Sequence, residues 1–266
     1  MRSSRRSNII RYAIVIFMIL AVILPFIPLV FTSFSFYWVY PDLLPDWSTR
    51  AWDLVFSQKA ILDSIYHSVL IAAAVTALCF LIGFPASKAI GTRKFRYKTL
   101  AEILLLLPAL VPALSLTMGV QWMFLRTPLY GTLAGMIIAQ IVFALPYTIF
   151  CLSAVFKNYD LDHEDQARSL GANKLDVLVH ITIPSIKNGM VVAAMYTFLV
   201  TWSQYLVIIM IGDPALKTLP VLIFNMIGGS DTALASALSI VFILPVLILL
   251  IFSAYILTKN KDPREG

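Results

Sequence analysis

Residues able to do chemistry are sparse in this chain of 266 residues, and where they gather they are not spaced for bond-breaking. The three histidines, His67, His163 and His180, form no pair at metal-ligand spacing. No glycine-rich loop ends in a phosphate-cradling lysine, and no serine or cysteine nucleophile has a base beside it. Cys79 and Cys151 fall inside long apolar runs, where a thiol packs as a small hydrophobe. These patterns predict no catalytic residue, no metal site, no cofactor and no enzyme. The exception to the sparseness is the polar interlude Asp160–Pro184, DLDHEDQARSLGANKLDVLVHITIP. Its acids Asp160, Asp162, Glu164 and Asp165 crowd one end, as suits the partial positive charge of a helix N-terminus, and Arg168 and Gly171 close the same helix, predicted over Leu161–Leu170.

A second short helix is predicted after the glycine. Asn173 offers an N-cap with Asp176 three residues on, and Leu175, Leu178 and Val179 recur at helical spacing until Pro184 interrupts. Isolated helices need roughly 12–15 residues to be stable in water, so both pieces must lie against something else. Residues 160–184 are therefore expected to be a loop that meets a partner.

The spacing resembles the cytoplasmic-loop motif of binding-protein-dependent ABC importer permeases: Glu-Ala-Ala, three residues, Gly, nine residues, Ile, one residue, Leu-Pro. Asp165, Gln166 and Ala167 fall on its first three positions, Gly171 on its glycine, and Ile181, Ile183 and Pro184 on its end. Asp165 keeps the charge of the family's Glu on a shorter stem, Ile183 keeps the bulk of its Leu, and Gln166 departs from its Ala. The resemblance implies a permease subunit that forms half of a solute pathway with a second, identical or related chain. It also implies an ATPase dimer that drives alternating access through this loop, and an extracytoplasmic solute-binding protein. Within that family the wording Trp47-Ser48-Thr49-Arg50 leans toward the group handling polyamines, iron and thiamine.

The elements that would hold the loop are legible in composition. With 60% hydrophobic and 13% charged residues, the chain is far from a soluble domain, in which about a quarter of residues are charged. Six apolar runs are long enough to cross ~30 Å of hydrocarbon: Arg11–Ser33, Ser64–Phe84, Leu100–Leu125, Thr132–Phe156, Gly189–Ile211 and Ala235–Leu257. Sixteen of the 20 Lys and Arg residues fall at the two termini and in the 85–99 and 157–188 loops, which predicts cytoplasmic termini and a cytoplasmic coupling helix between spans four and five. The expected fold is therefore all-α and multi-pass, and the resemblance implies that residues 1–266 are a single permease domain in a bacterial plasma membrane, with residues 160–184 its cytoplasmic coupling loop. The net charge of +6 is absorbed by orientation and membrane lipid and calls for no nucleic-acid partner.

Along the chain, the segment Phe34–Asp63 is rich in aromatics, Phe36, Tyr37, Trp38, Tyr40, Trp47, Trp52 and Phe56, and reads as an interfacial belt; the resemblance implies instead a docking face for the external binding protein, with Asp42, Asp46, Arg50 and Asp53 in its footprint. Pro85 is expected to end the second span, and Pro108 and Pro112 to kink the third. Polar side chains at membrane depth, Gln121, Gln140, Trp202, Gln204 and Tyr205, are the candidates for lining a solute path. Leu216–Ile227, bounded by Pro214 and Gly228-Gly229, is too short to span and reads as re-entrant or interfacial. The alternative function, an ion-coupled secondary transporter, would need acids within the membrane to bind the coupling ion, and Glu102 is the only one inside an expected span.

Overall fold

A long apolar run has one local way to satisfy its backbone away from water, the helix. Accordingly, the computed structural model is built of helices joined by short loops over its described residues, 2–36, 38, 44–212, 216–227, 229 and 231–259, with side chains described for all of these except 2–10, 257 and 259. Tyr37, Tyr40, Asp42, Pro214 and Gly228 lie outside the described residues.

In order the helices are α1 (Arg2–Ile23), α2 (Phe26–Ser33), α3 (Arg50–Ser57), α4 (Lys59–Thr92), α5 (Lys98–Leu110), α6 (Ala113–Phe124), α7 (Leu133–Lys157), α8 (Asp162–Ser169), α9 (Lys174–Val177), α10 (Ile183–Trp202), α11 (Leu206–Ile211), α12 (Leu219–Ile227) and α13 (Thr232–Lys259). Among the described residues, five stretches are long and apolar enough to cross a membrane, and six if α5 and α6 count as one broken span.

Four details differ from the sequence reading, and the first three have a local cause. Helix α4 runs through Pro85 to Thr92, because membrane helices tolerate proline where neighbouring hydroxyls and helices support the backbone. Here Phe84, beside the proline, meets Phe156 of α7 edge-on with ring centroids 5.4 Å apart. Farther on, Gly91 sits so close to α7 that a Cβ on it would come within 2.4 Å of Phe156 Cβ. The third span is broken rather than kinked: α5 carries Pro108 in its interior, but at Val111-Pro112 the chain turns by 99° into α6. Pro184 does not interrupt its helix, because a π turn over Leu178–Thr182 has already loosened the ladder and Pro184 falls in the first turn of α10. The fifth span, expected to be continuous to Ile211, breaks after Trp202 and resumes as α11.

The contacts divide the chain into two compact units, Met1–Leu62 with Leu222–Leu244 and Asp63–Val221 with Pro245–Gly266. In the first, α2 leads into an aromatic segment where Phe34 stacks on Trp52 with ring centroids 5.5 Å apart. Phe36 N–H donates to the Asp46 carbonyl at 2.7 Å, and Arg50 pairs with Asp231. The second unit is built on α7, the most buried span. Ile71, Val75 and Cys79 of α4 pack with Met136 and Ala144 of α7 and Ile208 of α11. Thr148 and Thr197 share a buried 2.8 Å hydrogen bond from α7 to α10, and Gly189 lets α10 approach Val155 where a Cβ would meet its Cγ2 at 2.3 Å. Cys79 is buried and Cys151 half-buried, both as free thiols.

Candidate functional site

The polar loop folds by its own local signals. Its first helix, α8, begins where Asp160 Oδ1 accepts from Asp162 N–H at 2.9 Å, and carries Asp162, Glu164 and Asp165 in its first turn. It ends in a Schellman turn: Gly171 N–H donates to the Arg168 carbonyl and Ala172 N–H to the Ala167 carbonyl, both at 3.0 Å. Gly171 adopts φ +93°, and a Cβ there would meet nothing within 4 Å, so backbone conformation rather than space calls for glycine. Asn173 then caps α9 through a reciprocal box. Its Oδ1 accepts from Leu175 and Asp176 N–H at 2.8 and 2.9 Å, and Asp176 Oδ2 accepts from Asn173 N–H at 3.4 Å.

What fastens α8 to the transmembrane helices is Glu164, the only buried charged residue among those described. Lys88 Nζ, near the end of α4, donates to both carboxylate oxygens at 2.6 and 2.7 Å. Thr182 Oγ1, in the π turn that opens α10, donates to Oε1 at 2.7 Å, and Tyr159 Oη, just after α7, donates to the same atom at 2.9 Å. Arg168 Nη2, one turn along α8, completes the set at 3.2 Å on Oε2. One carboxylate thus ties the loop to α4, to the end of α7 and to the start of α10. Burial pushes the Glu164 carboxyl up, but the hydrogen bonds from Lys88, Thr182 and Tyr159 and the Lys88 charge outweigh it, so the group is held below the ordinary glutamate range. Burial pushes the Tyr159 phenol up, and the adjoining Glu164 adds to the rise.

The residues singled out by spacing lie around this knot rather than in it. Asp165 and Gln166 are exposed on the opposite face of α8 with Asp162 and Ser169; the Asp165 side chain keeps 71% of its surface, with Arg168 Nη1 3.6 Å away. Ala167 is half-buried on the anchored side. Ile181 and Ile183 are half-buried in the π turn and the first residue of α10, and Pro184 is exposed. Leu170, Leu175 and Val179 also stand out in solvent, at 89%, 71% and 51% exposure. Sequence reasoning noted Glu164 as one acid among four and missed its role. Leu161 and Ala167, three residues before and after, put it on the apolar face of α8, and that was the available signal.

Of the path candidates, the structure gathers three. Gln140 of α7, Trp202 at the end of α10 and Gln204 in the break line a small cavity of about 10 Å³ with Ser68, Thr201 and Thr218. Gln140 Oε1 and Thr218 Oγ1 are buried there with no hydrogen-bond partner among the described residues. Tyr205 packs instead against the core of α4 and α7. Gln121 is elsewhere, its Nε2 donating to the Met210 carbonyl at 2.7 Å and so joining α6 to α11.

Residues 80–265 match the family model described as "Binding-protein-dependent transport system inner membrane component", and that range contains the whole knot. The chain is 28% identical over 199 residues to the trehalose transport system permease protein SugB of Mycobacterium tuberculosis, covering 73% of each chain. It is 22% identical over 218 residues to the spermidine/putrescine transport system permease protein PotC of Haemophilus influenzae, covering 81% of this chain and 85% of that one. In fold it is similar to a chain of a bacterial ABC transporter involved in import of the acidic polysaccharide alginate, with a TM-score of 0.75 at 17% identity over 98% of this chain and 99% of that one. With most of its length matched by one family model, the chain belongs to the binding-protein-dependent inner membrane components and is a permease subunit of an ATP-binding-cassette importer.

Proposed function

We propose that the exposed face of α8, with Leu170, Leu175 and Val179 beside it, is the surface through which a separate ATPase dimer drives this subunit. The carrying observation is the two-sidedness of the loop: Glu164 is locked inward on three transmembrane elements while Asp165, Gln166 and Ser169 face out. A partner with basic groups around an apolar groove is complementary to that face. A push on α8 would reach α4 and α10 through the Glu164 knot, because a fully bonded buried cluster moves as a unit. In this reading Asp165, Gln166, Ala167, Gly171, Ile181, Ile183 and Pro184 form the coupling segment of a single permease domain over residues 1–266.

The same reading gives the other partners and the setting. The first span buries none of its apolar window within its own chain, which supports cover by lipid and a second permease chain. Placing the loop in the cytoplasm of a bacterium and the aromatic segment outside follows the distribution of basic residues. Solute is delivered from an external binding protein, which carries most of the specificity. Relatives are named for trehalose and for spermidine/putrescine, and the break at Ser203–Tyr205 contains no acid to grip a polycation.

Single-cysteine labelling tests the orientation: Ser48 and Arg126 positions should react from outside and Asn173 and Arg93 positions from inside, and the reverse pattern overturns it. Uptake tests the energy source. It should stop on ATP depletion and survive an uncoupler, and the opposite result favours an ion gradient.

A further inference from the structure

The knot is one wall of a larger feature that coupling to an ATPase does not use. A cavity of about 560 Å³, within the usual size range of ligand pockets, lies between α4 and the α8–α10 segment. Its walls change character with depth. At one level stand Lys88, Arg168 and Lys174; farther along are Leu81, Phe84 and Met190. Leu81 and Lys88 are seven residues apart on one helix, about 10 Å along its axis. Leu81 is 74% exposed, so the apolar part opens sideways, toward whatever surrounds the span.

The charges do not balance. Glu164 is the one acid in the wall and is already committed to Lys88 and Arg168. Lys174 has no ion pair among the described residues, and Arg168 keeps 52% of its side-chain surface. Arg168 also has Asp165 Oδ1 3.6 Å from its Nη1, on the outward side of α8, so three cations face two carboxylates, and the surplus leaves an anion-attracting rim above an apolar slot, the two-part pattern of an acidic amphiphile. Basic pockets between transmembrane helices on the cytoplasmic side bind acidic head groups in this way.

We propose that this cavity is a binding site for one anionic phospholipid. Its phosphate is held by Lys174 and Arg168 and an acyl chain lies along Leu81, Phe84 and Met190. The site adjoins the Glu164 knot, so the lipid would fill space beside the joint between loop and helices. The level assigned to the head group rests on the cytoplasmic placement of the loop given above.

The test is lipid retention. The full chain, purified with its partner subunits from membranes containing phosphatidylglycerol and phosphatidylethanolamine, is washed with detergent, and bound lipid per chain is counted by mass spectrometry. The wild type should keep about one phosphatidylglycerol in preference to phosphatidylethanolamine. Lys174→Glu should lower that retention by about tenfold, as expected for reversing one contacting charge, and Lys174→Arg should keep it. Leu81→Gln should also lower it, separating a held acyl chain from a phosphate ion. Lys187→Glu, exposed at the start of α10 and outside the cavity wall, should not change it. Retention that is equal for the two lipids, or unchanged in Lys174→Glu, overturns the proposal. So does retention by the isolated chain but not by the assembled complex, which would mean that a protein partner fills the slot. Labelling of the Asn173 position from outside would instead overturn the topology while leaving the retention result to stand or fall alone.

Discussion

Two polar regions of the same compact unit solve the problem of burying hydrogen-bonding groups in opposite ways. At the loop, the Glu164 carboxylate is met by four donor residues at 2.6–3.2 Å. At the break between α10 and α11, Gln140 Oε1 and Thr218 Oγ1 are buried beside a cavity of about 10 Å³ with no partner among the described residues. A saturated cluster resists rearrangement, because each displaced donor leaves a charge exposed to a poor solvent. A site with two orphaned oxygens is cheaper to rearrange, because those atoms have no bond to lose. In the function proposed above, the stiff joint is where force enters and the looser break is where helices change arrangement.

The largest effect should come from breaking the stiff joint. Glu164→Leu leaves Lys88 without its partner, and removing one member of a buried pair costs about 3–5 kcal/mol. Lys88 keeps 27% of its side-chain surface, so we expect roughly 2–3 kcal/mol, read as a lower melting temperature in detergent and faster proteolysis after Tyr159. An effect no larger than that of Asp165→Asn would erase the contrast between the two faces of α8. The same joint should yield to acid. Because the folded carboxyl titrates below its ordinary value of 4.5, its contribution is complete above that value and is lost as pH falls through the lower folded one. Protease resistance of the loop should therefore be flat from pH 8 to pH 5 (about the physiological range) and drop only below the ordinary value.

Next in size is Gly171→Val, where a β-branched residue at φ +93° is strained by about 1–3 kcal/mol. The strain is confined to a surface turn, so the amount of protein in the membrane should hold while uptake and ATPase retention fall together. Asn at the same position should be tolerated, since it enters the left-handed region readily.

Asp165→Lys comes third. It reverses a charge at a helix start, an effect of about 0.3–1 kcal/mol on α8, and should weaken ATPase co-purification with little change in melting temperature. Asp165→Glu should behave as wild type. If Asp165→Lys retains the ATPase fully, the outward face is not the docking face.

The smallest effect is expected at the soft break. Thr218→Val keeps the shape and removes an orphaned hydroxyl, so stability should change by no more than about 0.5 kcal/mol, in either direction. A loss above about 1 kcal/mol would show that the break is as well bonded as the loop, and the two regions would no longer differ in kind.

Much of this was readable in one dimension. Span number follows from the length of apolar runs, and the loop's caps follow from Asn173, Asp176 and Gly171, whose side chains or missing Cβ act on backbone a few residues away. Proline was read less well, because its effect depends on neighbours. Pro85 and Pro108 leave their helices running, Pro184 sits harmlessly after a π turn, and Pro112 stands at a 99° break.

What the sequence determined by itself was therefore everything that acts locally or by accumulation: helical spans, polar interlude, caps and the imbalance of basic residues. The tertiary structure alone decided which acid matters. Glu164 and Asp165 are neighbours of the same charge, and only packing tells them apart. Burial depends on Lys88, 76 residues earlier, and Thr182, 18 later, arriving at one point. Likewise, Gln140, Trp202 and Gln204 became one site and Gln121 a separate tie only when the broken helices were laid together, because side-chain partnership across a bundle depends on helix rotation and approach, which no spacing along the chain encodes.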